Sequence, residues 1–309
     1  MLIIDEQELL QKVKGYHVSE ITIQAPEGLK RRTLELADFL EDKGYTVYIS
    51  ADPCYGACDL EEYGELVVHL GHTRMYSLES PVIYVDVYDD FDFVPILSHN
   101  LEKIPPSIGL LTTAQHRLQL PRIKSFLEEK GIKVAVGKGV RTVFEGQILG
   151  CDLTAAVSIQ DAVEAFLYLG TGVFHPLGVA VATGKRVFRV YDYFEEITPQ
   201  KLLKKRHALI FQASLSKKFG IVLSTKKGQF RKKEALKIRD YLHEKGKTTY
   251  LFVADEINPH ILHGCDAYII CACPRIALDD ASAYEKPVLT CREAYMLFEE
   301  IPYEMDMIV

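Results

Sequence analysis

Seven cysteines are spread over 309 residues, and three stretches place them where chemistry is possible. The first is Asp52-Pro53-Cys54-Tyr55-Gly56-Ala57-Cys58-Asp59-Leu60, which follows the strand-like run Tyr45-Thr46-Val47-Tyr48-Ile49. The second is Gly146-Gln147-Ile148-Leu149-Gly150-Cys151-Asp152, and the third holds Cys265-Asp266 and then Cys271-Ala272-Cys273-Pro274-Arg275. An odd number of thiols on a long chain is not a disulfide framework. In a reducing compartment such thiols are core residues or metal ligands. Parallel α/β sheets place ligands just past their strand ends, so Cys58 reads as one corner of an iron–sulfur cluster, with two more corners elsewhere. Three thiolates leave one iron of a four-iron cluster open to substrate. In the third stretch, Cys265 shares the Cys-Asp phrase with Cys58 and Cys151 but precedes its strand. Cys271 and Cys273 alternate along a strand and its exit, and Pro274 stops further pairing. Cys273 thus sits where a ligand should be, and Cys271 suits packing. A radical S-adenosylmethionine motif needs a further cysteine three residues after Cys58; that residue is Glu61, so the motif is absent.

The elements that must position these thiols are triplicated. Glu41-Asp42-Lys43-Gly44-Tyr45, Glu128-Glu129-Lys130-Gly131-Ile132 and His243-Glu244-Lys245-Gly246-Lys247 each read as a helix end with a glycine C-cap. Ahead of them stand the β-rich runs Ile21–Ala25, Ile108–Thr112 and Phe219–Leu223, each followed by a turn and an amphipathic helix. Leu36, Phe39 and Leu40 mark the first helix face, Leu120, Ile123 and Phe126 or Leu127 the second, and Ala235, Ile238 and Leu242 the third. Third and fourth strands follow at 66–70 and 81–85, at 165–169 and 186–190, and at 267–270 and 287–290. Alternating strands and helices imply parallel sheets with right-handed crossovers. The expected fold is α/β: three similar small domains, each a mainly four-stranded parallel sheet flanked by helices, in pseudo-threefold arrangement around a central cluster site. Residues 1–105, 106–205 and 206–309 are the expected repeats, carrying Cys58, Cys151 and Cys273 in turn.

Composition is that of a soluble globular chain, with 48% apolar and 26% charged residues. No apolar run approaches a membrane span, and the acidic start Asp5-Glu6 lacks the basic region of a signal peptide; the expected location is cytoplasmic. The net charge of −7 hides a basic window, 201–250, with 15 Lys and Arg against 3 Asp and Glu. Aromatics are not interleaved there as a single-strand binder needs, so a solvated helix face is expected, with no direct nucleic acid. His260, His263 and Cys265 have zinc-ligand character, though a polar loop explains them. His69, His72 and His175 read either as pocket lining or as satisfied buried histidines.

Tyr55-Gly56-Ala57-Cys58, Gly146-Gln147-Ile148-Leu149-Gly150-Cys151 and Ala272-Cys273-Pro274-Arg275-Ile276-Ala277-Leu278-Asp279-Asp280 together resemble the signatures of the archaeal 2-(3-amino-3-carboxypropyl)histidine synthases of diphthamide biosynthesis. Gln24-Ala25-Pro26-Glu27-Gly28-Leu29 fits that family's first strand and turn. The resemblance spans residues 20 to 295. It implies Cys58, Cys151 and Cys273 as ligands of a [4Fe-4S] cluster, against Cys265, and S-adenosylmethionine as substrate. It further implies a homodimer, an electron donor, and a histidine of translation elongation factor 2 as acceptor. In that chemistry the Cγ–S bond of S-adenosylmethionine breaks and the 3-amino-3-carboxypropyl group moves as a radical to imidazole carbon. The turns after each first strand, Glu27-Gly28, Gln115-His116 and Gly228-Gln229, are the expected S-adenosylmethionine pocket, with Arg275 pairing the substrate carboxylate. Ordinary turn chemistry, and an ion pair of Arg275 with Asp279 or Asp280, are the plainer accounts. Quinolinate synthase, with three like domains and an open iron acting as Lewis acid, is the nearest rival; a zinc-binding scaffold without enzyme activity is another.

Overall fold

The computed structural model describes residues 2–76 and 78–308. Three sheets follow one another along the chain, and all three have one topology. Counting strands within each unit, the spatial order is second, first, third, fourth, and all these pairings are parallel. The first sheet uses Glu20–Gln24, Thr46–Ile49, Leu66–Leu70 and Val82–Val85. The second uses Ser107–Thr112, Lys133–Ala135, Ala165–Leu169 and Arg186–Val190, and adds Phe194–Ile197 as an antiparallel edge. The third uses Lys218–Ser224, Thr248–Ala254, Ala267–Cys271 and Val288–Thr290.

The helix ends repeat bond for bond. Gly44, Gly131 and Gly246 have φ of 90°, 82° and 70°. Their N–H groups donate to the carbonyls of Glu41, Glu128 and His243, each at 2.9 Å. The next residue's N–H reaches back to Leu40, Leu127 and Leu242. That is the Schellman closure, which needs a left-handed residue at its centre. The expected helix faces, Leu36 and Leu40, Ile123 and Leu127, Ala235, Ile238 and Leu242, are buried against their sheets.

A second repeated device lies in the sheets. Gly109 is the Cα partner of Phe166, and Gly220 that of Tyr268. A Cβ on Gly109 would lie 2.5 Å from the Phe166 ring, and one on Gly220 would lie 2.4 Å from the Tyr268 ring. In the first sheet the matching pair is Thr22 and Val67. There the Thr22 hydroxyl accepts from the N–H groups of Tyr63 and Gly64.

Segments near the expected joints pack as follows. Helix Val94–His99, before residue 105, buries Leu97 with Ile108, Leu110 and Ile123 of the second unit. Helix Gln200–Ser214 runs through the 205/206 joint, and its Ile210 and Ala213 pack with Phe219 and Ile238 of the third unit. Arg206 of that helix is fully buried, bidentate to Glu293, and bonded to the carbonyls of Ala277 and Val288. At the other end, Met305 packs into the second unit beside Leu153 and Val179. The first and last segments share one physical reason: each is an apolar helix face or tail that finds its burial on the neighbouring sheet.

Replacing Gly220 by Ala forces the Tyr268 and Phe252 rings aside and is expected to cost about 1–3 kcal/mol, the usual penalty of overpacking. Urea unfolding measures it; an unchanged midpoint would show that the rings can turn away freely.

Candidate metal centre

Each unit sends one thiol from beyond a sheet's strand ends. Cys58 lies in the loop after Thr46–Ile49, and Gly56 lets the chain turn there, since a Cβ would stand 3.3 Å from Cys58 Sγ. Cys151 follows a loop stitched to the end of Ser107–Thr112: Thr112 N–H donates to the Gly146 carbonyl at 2.8 Å, and Ile148 N–H to the Thr112 carbonyl at 3.0 Å. Cys273 caps the helix Pro274–Leu278, two residues past the strand Ala267–Cys271. All three line one cavity of about 240 Å³, together with Tyr55, His72, Gln115, Gln147, His175 and Arg275.

Direct bonds tie the three together. Gln229 is buried; its Nε2 donates to Cys58 Sγ at 3.3 Å, and its Oε1 accepts from Cys273 N–H at 3.3 Å. Gly228 N–H donates to the Cys58 carbonyl at 3.3 Å. Arg141 donates to the Gly228 carbonyl at 3.0 Å and to Cys151 Sγ at 3.7 Å. The C-terminal tail adds Ile308 N–H on the Cys151 carbonyl at 2.8 Å. Burial raises all three thiols, Cys151 to about 11 and Cys273 to about 12. Cys58 also raises the other two, and Cys151 raises Cys273, by charge repulsion. A cation is what turns such a trio into thiolates. Three soft sulfurs with no fourth cysteine among the described lining residues fit a metal cluster with one corner open.

Three of the other four cysteines are placed for packing. Cys271 and Cys291 are fully buried in the third core with their sulfurs 3.4 Å apart. Cys265 belongs to a core cluster with Tyr268 and Ile270. Among the described residues, the grouping of three metal-type ligands found outside the thiol trio is not His260, His263 and Cys265. It is Cys54, His69 and His72, whose ligand atoms lie within 4.8 Å of one another.

The expected substrate turns are all short 3-10 turns at matching positions, Glu27–Leu29, Ala114–Gln119 and Lys227–Gln229, but they serve differently. Gln115 lines the cavity and donates to the Gly71 carbonyl at 2.8 Å. Gln229 touches the cysteines themselves, and Gly228 packs on the Cys58 backbone, where a Cβ would lie 2.5 Å from Cys58 Cα. His116 turns into the second core, edge-on to Phe93. Glu27 is exposed and paired with Lys30, and neither it nor Gly28 lines the cavity. Arg275 is bound to Asp279 at 2.8 Å and lies over Phe174, yet it lines this cavity and an adjoining one. That second chamber, about 250 Å³, shares Tyr55, Cys58 and Cys273 and is acidic, with Asp255, Glu256, Asp279 and Asp280. Lys226 there is held by Asp59 at 2.5 Å and Glu256 at 2.7 Å.

Residues outside the expected set complete the site. Gln147 accepts from the N–H groups of Val143 and Phe144 and donates to Thr73 at 2.8 Å. His175 is stacked on Tyr168, and burial pushes it down to about 4. Gln147 stood inside a quoted motif, whereas Arg141 lies ten residues before its cysteine with no local pattern to mark it.

The diphthamide synthesis protein family model matches residues 25–308. A 2-(3-amino-3-carboxypropyl)histidine synthase of Pyrococcus horikoshii is 40% identical, over 99% of this chain and 94% of the relative. One of Methanocaldococcus jannaschii is 32% identical, over 99% and 93%. The crystal structure of Dph2 from Pyrococcus horikoshii with a 4Fe-4S cluster superposes with a TM-score of 0.94 at 38% identity, covering 100% of this chain and 95% of that one. The chain therefore belongs to the diphthamide synthesis protein family.

Proposed function

We propose that the chain is a 2-(3-amino-3-carboxypropyl)histidine synthase that uses S-adenosylmethionine and modifies a histidine of translation elongation factor 2. The observation that carries this reading is the convergence of Cys58, Cys151 and Cys273, one per sheet, on a single cavity. The Pyrococcus relative of the same fold holds a 4Fe-4S cluster, and these three thiols would hold one here. When bound, the cluster supplies the electron that breaks the Cγ–S bond, releasing methylthioadenosine and a 3-amino-3-carboxypropyl radical.

The protein's part is to fix the thiols, orient the substrate and exclude water. Gln229 and Gly228 hold Cys58 and Cys273 in register across two units. Arg275, reaching both chambers, suits the substrate carboxylate once it exchanges its Asp279 partner. Gln115 and Gln147 offer amide groups along the same wall. The acidic chamber favours cationic groups, such as an ammonium or sulfonium. Family membership separates the chain from quinolinate synthases and from a zinc scaffold. A homodimer, an external electron donor and a cytoplasmic location belong to the same reading. An exposed apolar edge strand, with Tyr250, Leu251 and Val253 outward, supports self-association. No described helix is long and apolar enough to cross a membrane.

Protein prepared without oxygen is expected to be brown, with iron and sulfide at about four each per chain. Given reductant, elongation factor 2 and S-adenosylmethionine labelled in the aminocarboxypropyl group, it should label the factor and form methylthioadenosine. Label on the factor without methylthioadenosine, or neither product from iron-replete protein, overturns the reading.

Gly228→Ala drives a methyl group into the Cys58 backbone, 2.9 Å from its carbonyl oxygen. Its affinity for the metal is expected to fall about 10–100-fold, as when a group supporting a ligand is lost. Iron content after reconstitution and far-UV circular dichroism measure this together; full iron retention would show that the Gly228 contact does not set the thiol's position.

A further inference from the structure

His72 stands on the wall of the thiol cavity with His69 buried behind it, and their protonation is fixed by the groups they face. Gln24 is fully buried at the end of the strand beside His69, and the two residues are Cα partners. Its Nε2 donates to the Asp59 carbonyl at 2.8 Å, so the amide orientation is settled. Gln24 Oε1 accepts from Glu61 N–H and faces His69 Nδ1 at 3.1 Å. An amide oxygen can only accept, so His69 carries its proton on Nδ1. In a neutral ring its Nε2 is then a bare lone pair. That nitrogen lies 2.9 Å from His72 Nδ1, which must be the donor. His72 therefore presents a bare Nε2, which makes no hydrogen bond to a described residue, and the ring lines the cavity with Cys58, Cys151 and Cys273. Burial keeps both rings neutral, His72 pushed down to about 4 and His69 well below its ordinary value.

The same rings, with Cys54, have the makings of a second metal site. The geometry opposes it. Two nitrogens at about 2.0–2.1 Å from a tetrahedral metal stand about 3.3 Å apart, whereas these are at hydrogen-bond distance. Burial also pushes the Cys54 thiol up to about 12, the protonated form.

We propose that His72 Nε2 accepts the proton lost by the imidazole C2 of the acceptor histidine when the 3-amino-3-carboxypropyl group bonds there, with His69 and Gln24 as positioning residues. The proposal rests on the function proposed above and adds the proton's destination. Summed over the transfer, the electron pair of the Cγ–S bond stays on sulfur in methylthioadenosine. The C2–H pair becomes the new C–C bond, and the proton goes to His72. The positive charge of the sulfonium thus reappears as an imidazolium. No net oxidant or reductant is consumed, because the electron that starts cleavage is recovered when the aromatic ring is restored. Burial makes the imidazolium short-lived, so it passes the proton on and returns to the base form.

The test uses the iron-replete holoenzyme, wild type and His72→Gln, with elongation factor 2 carrying hydrogen or deuterium at C2 of the acceptor imidazole. His72→Gln is expected to keep its iron and sulfide and to form methylthioadenosine within about twofold of wild type. Label transferred per methylthioadenosine should fall about 10²-fold or more, the usual scale for losing a general base. Deuterium should depress that ratio further in the variant. A ratio equal to wild type, methylthioadenosine and transfer falling together, or no deuterium effect in the variant overturns the proposal. Should the variant lose iron, nitrogen-15 NMR of wild-type holoenzyme labelled in histidine decides instead. Both rings should be neutral with the proton on Nδ1; an Nε2–H form, a cationic ring or a metal-bound nitrogen at neutral pH refutes the relay. Wild type that forms no methylthioadenosine would instead refute the proposed function, while the NMR result still judges the tautomers.

Discussion

The Gln229 side chain spans the junction on which the rest of the site depends. Its nitrogen holds a sulfur from the first unit and its oxygen holds a backbone N–H from the third. A side-chain amide can donate and accept at once from a fixed plane. A carboxylate there would repel a thiolate, and an alkyl chain would leave the Cys273 N–H buried and unpaired. The adjoining Gly228 brings backbone against backbone, and Arg141 ties that same glycine to the second unit. Two consecutive residues thus set the relative position of all three thiols.

That convergence creates an electrostatic problem which only a cation solves. Cys58 raises both other buried thiols and Cys151 raises Cys273, so ionising one makes the next harder to ionise. The protein supplies only part of the opposing charge: Arg141 lies beside Cys151, and Arg275 is partly taken up by Asp279. The nearby Lys226 is occupied by Asp59 and Glu256. The polar wall is left for substrate, and the sulfurs are left for metal. Protonated thiols are therefore the state that the apo site prefers, and metal binding must release protons.

What could be read from the sequence follows from local rules. The Lys-Gly phrase was legible because a Schellman cap demands a residue at positive φ, and three such residues at domain-sized spacing expose the triplication. The strands were legible as β-branched and apolar runs. Cys271 and Cys273 were separable because Pro274 ends the ladder, leaving Cys271 inside the strand and Cys273 past its end. The burial of Leu97 and Met305 was not legible, because each is an apolar residue whose burial partner lies on the neighbouring unit. Equivalent turns also misled: Gln115 and Gln229 occupy like positions, yet one faces open cavity and the other the sulfurs. His116 looked like a site residue and became an aromatic contact, since the Phe93 ring that receives it comes from a distant segment. The antiparallel strand Phe194–Ile197 follows Val190 by too short a turn to stand out from a loop.

The C-terminal tail closes the arrangement, and its logic is that of a buried charge. Asp306 is almost fully buried and bidentate to Arg231, which sits just past Gln229 at the start of the third unit's helix. Arg231 is pushed further up by this partner, while burial, helped by the charge of Glu293, drives Asp306 upward toward its neutral form. Removing either member would strand the other charge in a dry interior, a cost of about 3–5 kcal/mol. The tail is therefore pinned to the third unit at Asp306, and two residues later it bonds the Cys151 carbonyl in the second. Cys151 is thus held on its sulfur by Arg141 and on its backbone by a strand of chain anchored beside Gln229. The second unit stitches the Cys151 loop to its own strand, but both restraints that cross to other segments, Arg141 on Gly228 and the tail beside Arg231, trace back to the same turn of the third, so loosening that turn would shift this thiol before it unfolded any one sheet.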